Sequence, residues 1–407
     1  MALPLDPERI RAFFPAFSDP SLRDVAFFEN AGGSFTAQPV IDILARAYRT
    51  KMQDYDFTAP QRAAGEAMER GYQRIAAALN VTPDWITFGP STSANTYTLT
   101  GALRGWLKSG DAIVVTNQDH EANTGKFRTL EGRGIEVREW RVDRHTGRLD
   151  TDQLDTLLDE KVRVIAFPHA SNVVGEINPV AEIAAKSRAL GAITIVDGVS
   201  AAPHGLPDLK ALGTDIYLFS AYKTYGPHQG VLAMRPELLM ELPNQSHFFN
   251  EGKPRYRMNP AGPDHAQVMA LAGIADYLEE VARIAGSAFE GPTPFHRAHL
   301  AMRAQESALL APLLDFISGR NDVRLIGSDD PAIRVPTVAL ALEESPRDVA
   351  RRLGERGIAC GAGNFFAYRL FQGMGIDPAH GALRLSFVHY TTPAEVDRLI
   401  EALDAEL

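Results

Sequence analysis

Cysteine is nearly missing from this chain: Cys360 stands alone among 407 residues. A lone thiol excludes an internal disulfide and any thiolate-rich metal site, and it fits a reducing compartment. Long apolar runs are missing too, since no stretch approaches the eighteen or more residues of a membrane span. So is any basic excess: 41 Lys and Arg against 51 Asp and Glu give a formal charge of -10, with no basic stretch to offset it. Nucleic acid and anionic membrane surfaces are therefore poor partners. The opening MALPLDPERIRAFFPAF carries an early Asp and Glu in place of a basic and then apolar leader, so a cytoplasmic location is expected. Repeats and low-complexity linkers are absent, and the histidine spacings match no metal site, so no metal is expected. What the chain does have is 45% hydrophobic content over a length that can bury a large core. That suggests one big domain plus a smaller one, and a soluble enzyme acting on a small molecule.

Short β-branched runs at 86–88, 112–116, 162–167, 192–196 and 215–219 alternate with helical stretches. This is the pattern of a mostly parallel sheet between helices, an α/β fold. Helix punctuation supports it: in INPVAEIAAKSRALGA, Asn178 is expected to cap, Pro179 to sit in the first turn and Gly191 to end the helix. In TTPAEVDRLIEAL, Thr392 and Glu395 form a capping box around Pro393. The stretch AFEGPTPFHRAH (288–299) is the expected seam, because Gly291, Pro292 and Pro294 interrupt helical patterns on both sides.

In open parallel sheets ligands bind beyond the carboxyl ends of the strands. Nearly every run delivers a reactive residue there: Ser91, Thr92 and Ser93, then His120, Asn172, Asp197 with Ser200, and Ser220 with Lys223. A lysine can bond an aldehyde. A carboxylate can hold a proton on a heteroaromatic nitrogen, a hydroxyl-rich turn at a helix start can hold a phosphate, and an imidazole can stack on a flat ring. Pyridoxal phosphate requires all four.

The chain resembles the class V aminotransferases, fold type I pyridoxal-phosphate enzymes, and within them the cysteine desulfurase-like proteins. The likeness runs through FFENAGGS, DHEAN, HASNVVGEINPV, VDGVSAAPHGLPDLKALGTDIYLFSAYKTYGPHQG, GIACGAG and LRLSFVHY. It implies pyridoxal 5'-phosphate as cofactor, with Lys223 on its aldehyde, Asp197 on the pyridine nitrogen, His120 on the ring face and Asn172 near the phenolic oxygen. Ser91, Thr92, Ser93 and Ser220 are implied around the phosphate, with Ser200 and Tyr222 also at the cofactor. Arg384 is implied on the substrate carboxylate, where a bidentate fork suits arginine, and Asn30, Ala31, Gly32 and Phe366 near the substrate. The family implies a large domain with a seven-stranded-type sheet and a small C-terminal α/β domain. The expected division is residues 1–20 as an N-terminal helix packing on the small domain, 21–285 as the large domain and 286–407 as the small one. A homodimer with the site at the subunit interface is implied as well.

Departures from the family pattern bear on the reaction. Desulfurases carry a nucleophilic cysteine six residues beyond Cys360, where this chain has Phe366. A second loop arginine is replaced by small residues near Gly361, Ser200 stands for glutamine, Tyr222 for the histidine before the lysine, and NPAGPDHAQ lacks a phosphate-reaching threonine. The leading expectation is an enzyme acting on an amino acid, either an aminotransferase or a β-eliminating C–S lyase. The alternatives are desulfurase or selenocysteine lyase-type release using Cys360 or an external thiol, an epimerase, and a non-catalytic binding protein. His169, His204, His228, His265 and His389 are further candidates to line the pocket, and NFFAYRLF (364–371) is either an aromatic wall or core.

Overall fold

A computed structural model of the chain describes residues 3–407, so Met1 and Ala2 of the expected N-terminal segment lie outside the described residues. In chain order its strands are β1 (Ala26–Phe27), β2 (Ile86–Gly89), β3 (Ala112–Thr116), β4 (Glu136–Trp140), β5 (Val162–Pro168), β6 (Ile193–Asp197) and β7 (Ile216–Ser220). After them come β8 (Gly230–Met234), β9 (Arg324–Ile326), β10 (Thr337–Ala341), β11 (Ile358–Ala359), β12 (Gly361–Gly363) and β13 (Ala382–Ser386). The large sheet has the order β2-β8-β7-β6-β5-β3-β4, and only β8 runs against the rest. The expected α/β architecture with a mostly parallel seven-stranded sheet is what the chain adopts.

The central strands read as unbroken apolar runs because both faces are covered. Side chains alternate across the pleat: Val114, Ile165, Phe167, Val196, Tyr217 and Phe219 face one helical layer, while Ile113, Val115, Val164, Ile195, Ile216 and Leu218 face the other. The first layer includes the helices Ala59–Ala78 and Ala272–Ala285, and the second the helix Thr92–Trp106. Two strands of this large sheet fall outside the apolar runs read from the sequence. β4, EVREW, is a half-exposed edge with charges on it, and β8, GVLAM, follows the loop GPHQ so closely that it reads as its continuation.

The second sheet has the order β12-β13-β10-β9 and is antiparallel; β1 pairs with β11 beside it. The 25-residue helix Pro294–Ser318 serves both cores, with Phe295, Ala298 and Met302 in the large one and Leu309, Leu313 and Ile317 in the small one. The N-terminal helix Pro7–Arg11 likewise buries Ile10 in the large core while Arg11 pairs with Glu395 of the last helix. The capping box of Thr392 and Glu395 forms as expected. Asn178 does not cap: its amide donates instead to Gln118 Oε1 at 2.9 Å and Pro168 O at 2.8 Å, and Pro179 takes the cap position of Val180–Ala189. A buried amide that can satisfy two acceptors across the fold outcompetes a local cap.

Candidate active site

The carboxyl ends of β2, β3, β5, β6 and β7 meet around one cavity of ≈ 300 Å³, lined by Ser91, Thr92, Ser93, His120, Asn172, Asp197, Ser200, Ser220, Tyr222 and Lys223. Asp197 is the last residue of β6, and Lys223 ends a tight turn directly after β7. The turn is fixed two residues on, where Tyr225 adopts φ +63° with its ring wholly buried among Phe14, Tyr277 and Tyr390. The left-handed residue at this bend is Tyr225, and packing holds it there.

Lys223 is 8% exposed. Burial, followed by the nearby Arg384 charge, brings its ammonium down to about 8, with Asp197 opposing. Burial pushes the Asp197 carboxyl up to about 6, against the Val199 N–H it accepts at 2.8 Å and the charge of Lys223. At neutral pH the pair is thus a carboxylate facing an amine that is more readily freed of its proton than an exposed lysine. No described residue bonds the second oxygen of Asp197.

Ser91 caps the 15-residue helix Thr92–Trp106, accepting from Ala94 N at 3.1 Å, and the Thr92 and Ser220 hydroxyls meet at 2.8 Å. A Cβ on Gly230 would run into the backbone of Ser91 and Thr92, so the glycine keeps this turn pressed against β8. Helix-start N–H groups and hydroxyls together make a cup for an anion.

His120 caps the helix Glu121–Arg128 through Nδ1, which accepts from Ala122 N at 3.1 Å. Burial, then Lys223 and Arg384, lower it to about 4. It is a neutral ring with its proton on Nε2, so the planar face over the cavity is uncharged. Just before it, burial pushes Asp119 up to about 8 although Asn123 and Thr116 donate to it. In the motif DHEAN the histidine is the expected functional group, yet the aspartate is the more deeply set one.

Arg384, Asn30, Ala31, Gly32 and Phe366 lie outside the wall of this cavity. Arg384 on β13 is 5% exposed; its guanidinium stacks 3.9 Å above Phe365 and donates from Nη1 to Asn172 O at 3.1 Å, while Nε is buried without a partner. Burial lowers it to about 10 despite Glu29. Asn172 in turn donates to Phe365 O at 2.9 Å and leaves Oδ1 buried and unpartnered. Asn30 accepts from Tyr390 OH and, with Ala31, lines a separate small cavity that also touches Lys223; Gly32 lines neither. Phe366 is 71% exposed at φ +58°, next to Phe365 at φ +50°, with its ring 5.2 Å from that of His120. Tyr222 stacks on His228 at 4.9 Å, which brings that histidine to the wall. His265 lines a remote cavity and His389 is packed with tyrosines. Cys360 sits between β11 and β12, outside the main cavity, and burial together with Glu29 pushes its thiol up to about 12. Among the described residues no group of three or more His, Cys, Asp or Glu is placed to hold a metal ion, and no helix is long and apolar enough to cross a membrane.

Residues 26–399 match the family model for aminotransferase class-V. Among curated proteins the chain is similar to an aminotransferase-like protein, FGM3, of Gibberella zeae, at 31% identity with 98% of both chains covered. It is similar to a probable cysteine desulfurase of Pseudomonas putida at 30% with the same coverage. Among solved structures, a cysteine desulfurase from Thermococcus onnurineus has a TM-score of 0.85 at 22% identity, over 100% of this chain and 98% of that one. The Escherichia coli cysteine desulfurase CsdA has 0.81 at 23%, over 98% of each; both likenesses are of fold.

Proposed function

Since the chain belongs to the aminotransferase class-V family and is thereby a pyridoxal-phosphate-dependent enzyme, we propose that the cofactor occupies the cavity at the strand ends and that the substrate is a free α-amino acid. The donor set fits the group: an amine for the aldehyde, the unbonded oxygen of Asp197 for the pyridine nitrogen, and the Ser91–Ser93 turn with Ser220 for the phosphate. The unpartnered Oδ1 of Asn172 is left for the phenolic group. When bound, pyridoxal phosphate supplies an electron sink for the pair left at the α-carbon. Lys223 takes the α-proton onto Nζ as general base. Asp197 would hold the proton on the pyridine nitrogen, and His120 would cover a face of the ring and exclude water. Arg384 clamps the substrate carboxylate, with Nη1 already spent on Asn172 O and the rest of the fork available.

The reading of the reaction is transamination or, favoured by the desulfurase relatives, β-elimination at a C–S bond. With Phe366 on the loop and a thiol at Cys360 that resists ionisation, sulfur leaves as free sulfide or a small thiol, not as an enzyme persulfide. Four exposed side chains, Tyr48, Met52, Tyr55 and Phe57, lie close together in sequence, the first two on the wall of a cavity of ≈ 680 Å³, and support a homodimer. The single cysteine supports a cytoplasmic setting. The division at residues 20 and 285 remains our assignment of the domains.

The meeting of Lys223, Asp197 and the hydroxyl turn in one cavity carries this reading. Purified protein should show a borohydride-reducible chromophore, and a panel of amino acids including sulfur-containing ones should yield pyruvate with sulfide, or a keto acid. A reducible chromophore persisting in Lys223→Ala identifies another lysine and sinks the assignment; a panel with no spectral change at all favours a binding role.

A further inference from the structure

Lys223 also borders a second, very small cavity. Its volume of ≈ 10 Å³ is close to the roughly 10–15 Å³ that one water needs, and Asn30, Ser200, Ser386 and His204 give it polar walls. His204 is itself buried and shared with a third cavity of ≈ 460 Å³, walled also by His169, His299 and Arg303. His204 therefore borders both the space beside Lys223 and this larger space.

That imidazole is held by an unusual partner. His204 Nδ1 lies 3.0 Å from Oε2 of Glu306, a carboxylate with no exposure. Arg303 is 3.6 Å from the same oxygen, while Oε1 has no hydrogen-bond partner and lies 4.0 Å from His389 Nδ1. A buried carboxylate with a free oxygen is costly, and apolar residues of like volume would serve packing as well or better. No described residue bonds His204 Nε2. A carboxylate fixing one ring nitrogen of a cavity-lining histidine, with the other nitrogen unbonded, is the arrangement that orients an imidazole for proton transfer. Tyr222, the residue before Lys223, is no substitute, because burial makes its phenol harder to ionise.

We propose that His204, oriented by Glu306, exchanges protons between Lys223 and solvent through the one-water cavity while the main cavity is filled. This rests on the reading of Lys223 as the acceptor of the α-proton. The Cα–H bond breaks with its electron pair left at the α-carbon, for which the cofactor would supply the sink, and the proton forms an N–H bond on Nζ. Nζ–H then breaks toward the water, which passes one of its own protons to His204 Nε2. The imidazolium is stabilised by the Glu306 carboxylate at Nδ1–H and releases the Nε2 proton to water in the outer cavity, restoring the amine. Glu306 and His204 are positioning and relay residues that touch neither substrate nor cofactor.

The decisive measurement uses the cofactor-free full chain: the ¹⁵N shifts of the His204 ring followed through the pH range around 8, where Lys223 titrates. An inflection at the Lys223 midpoint that disappears in Lys223→Met is expected; a ring silent across that range overturns the proposal without any need for turnover. In the holoenzyme, α-deuterated L-cysteine should lose its label to solvent. His204→Gln should retain at least about tenfold more label in recovered substrate and product, Glu306→Gln an intermediate amount, and imidazole should restore exchange in His204→Ala. Unchanged retention in variants with a wild-type chromophore overturns the relay. Misassignment of Lys223 shows separately, as a reducible chromophore surviving Lys223→Ala.

Discussion

The floor and the roof of the active site are built differently. The floor is made of strand ends of the large sheet, where Asp197, Ser220 and Lys223 follow directly from buried apolar runs and sit in ordinary backbone geometry. The roof comes from β12, β13 and the loop between them, where Phe365 and Phe366 are both left-handed and Arg384 keeps a buried Nε without a partner. Non-glycine residues at positive φ cost about 1–2 kcal/mol each, and an orphaned buried donor costs about 1–3 kcal/mol. Apart from the left-handed Tyr225 and the unbonded oxygens of Asp197 and Asn172, regular structure fixes the floor, whereas the roof concentrates backbone strain at adjacent residues beside an orphaned guanidinium nitrogen. Under the proposed function, this difference gives the cofactor to the floor and the choice of substrate and reaction to the roof.

The floor side of the comparison breaks hardest at Asp197. Asp197→Asn keeps the shape but removes the charge facing the ring nitrogen, and on the scale of one lost preorganised electrostatic contact kcat should fall by about 10²–10³, measured by steady-state turnover. Bound cofactor, read from the chromophore, should remain. A comparable loss of cofactor instead would make Asp197 an anchor and not an electronic partner.

The amine on the floor gives a pH test. Burial lowers Lys223 to about 8, so its ammonium is disfavoured and the neutral amine grows with pH. The rate at which apoprotein captures pyridoxal phosphate should rise about tenfold per pH unit below that midpoint and level off above it, as followed by stopped-flow absorbance. Because Asp197 favours the ammonium, Asp197→Asn should move the plateau to lower pH. A plateau near the value of a free lysine contradicts the burial argument.

The floor was also the legible half. Apolar runs end on polar residues at regular intervals, so period and position alone led to Ser91–Ser93, His120, Asn172, Asp197 and Lys223, which the fold brings to one cavity. The roof was not readable in this way. Phe365 lies under Arg384 through a contact between β13 and the loop after β12, and neither spacing nor propensity encodes it. The edge strand β4 and the reversed strand β8 were missed because charge on one and a preceding turn on the other mask the alternation. Asn178 was misread because its partners Gln118 and Pro168 are set by tertiary packing.

On the roof, Arg384→Lys keeps the charge but loses the planar fork and the stack on Phe365. Loss of one charge-assisted hydrogen bond, about 1.5 kcal/mol, should raise KM for the amino acid roughly tenfold with little change in cofactor absorbance. Equal losses in kcat and in cofactor content would instead mean that Arg384 supports the floor through Asn172.

The smallest effect is expected at Phe366, and it discriminates best between the two halves. The ring is mostly solvent-exposed, so its removal forfeits little burial. Phe366→Gly relieves about 1–2 kcal/mol of left-handed strain against roughly 0.5–1 kcal/mol of added chain entropy, so the melting temperature should hold or rise slightly. Activity should shift among substrates by less than the roughly tenfold of one methylene in a closed pocket, because the ring is mostly exposed, while the chromophore is untouched. Phe366→Cys puts a thiol beside the neutral His120 ring. If the roof alone sets the fate of sulfur, cysteine should then leave one sulfur atom on the protein by intact mass, in Phe366→Cys and not in wild type, and Cys360→Ala should not alter sulfide release. A persulfide on wild-type protein that vanishes in Cys360→Ala would return sulfur chemistry to the buried thiol and erase the division between floor and roof.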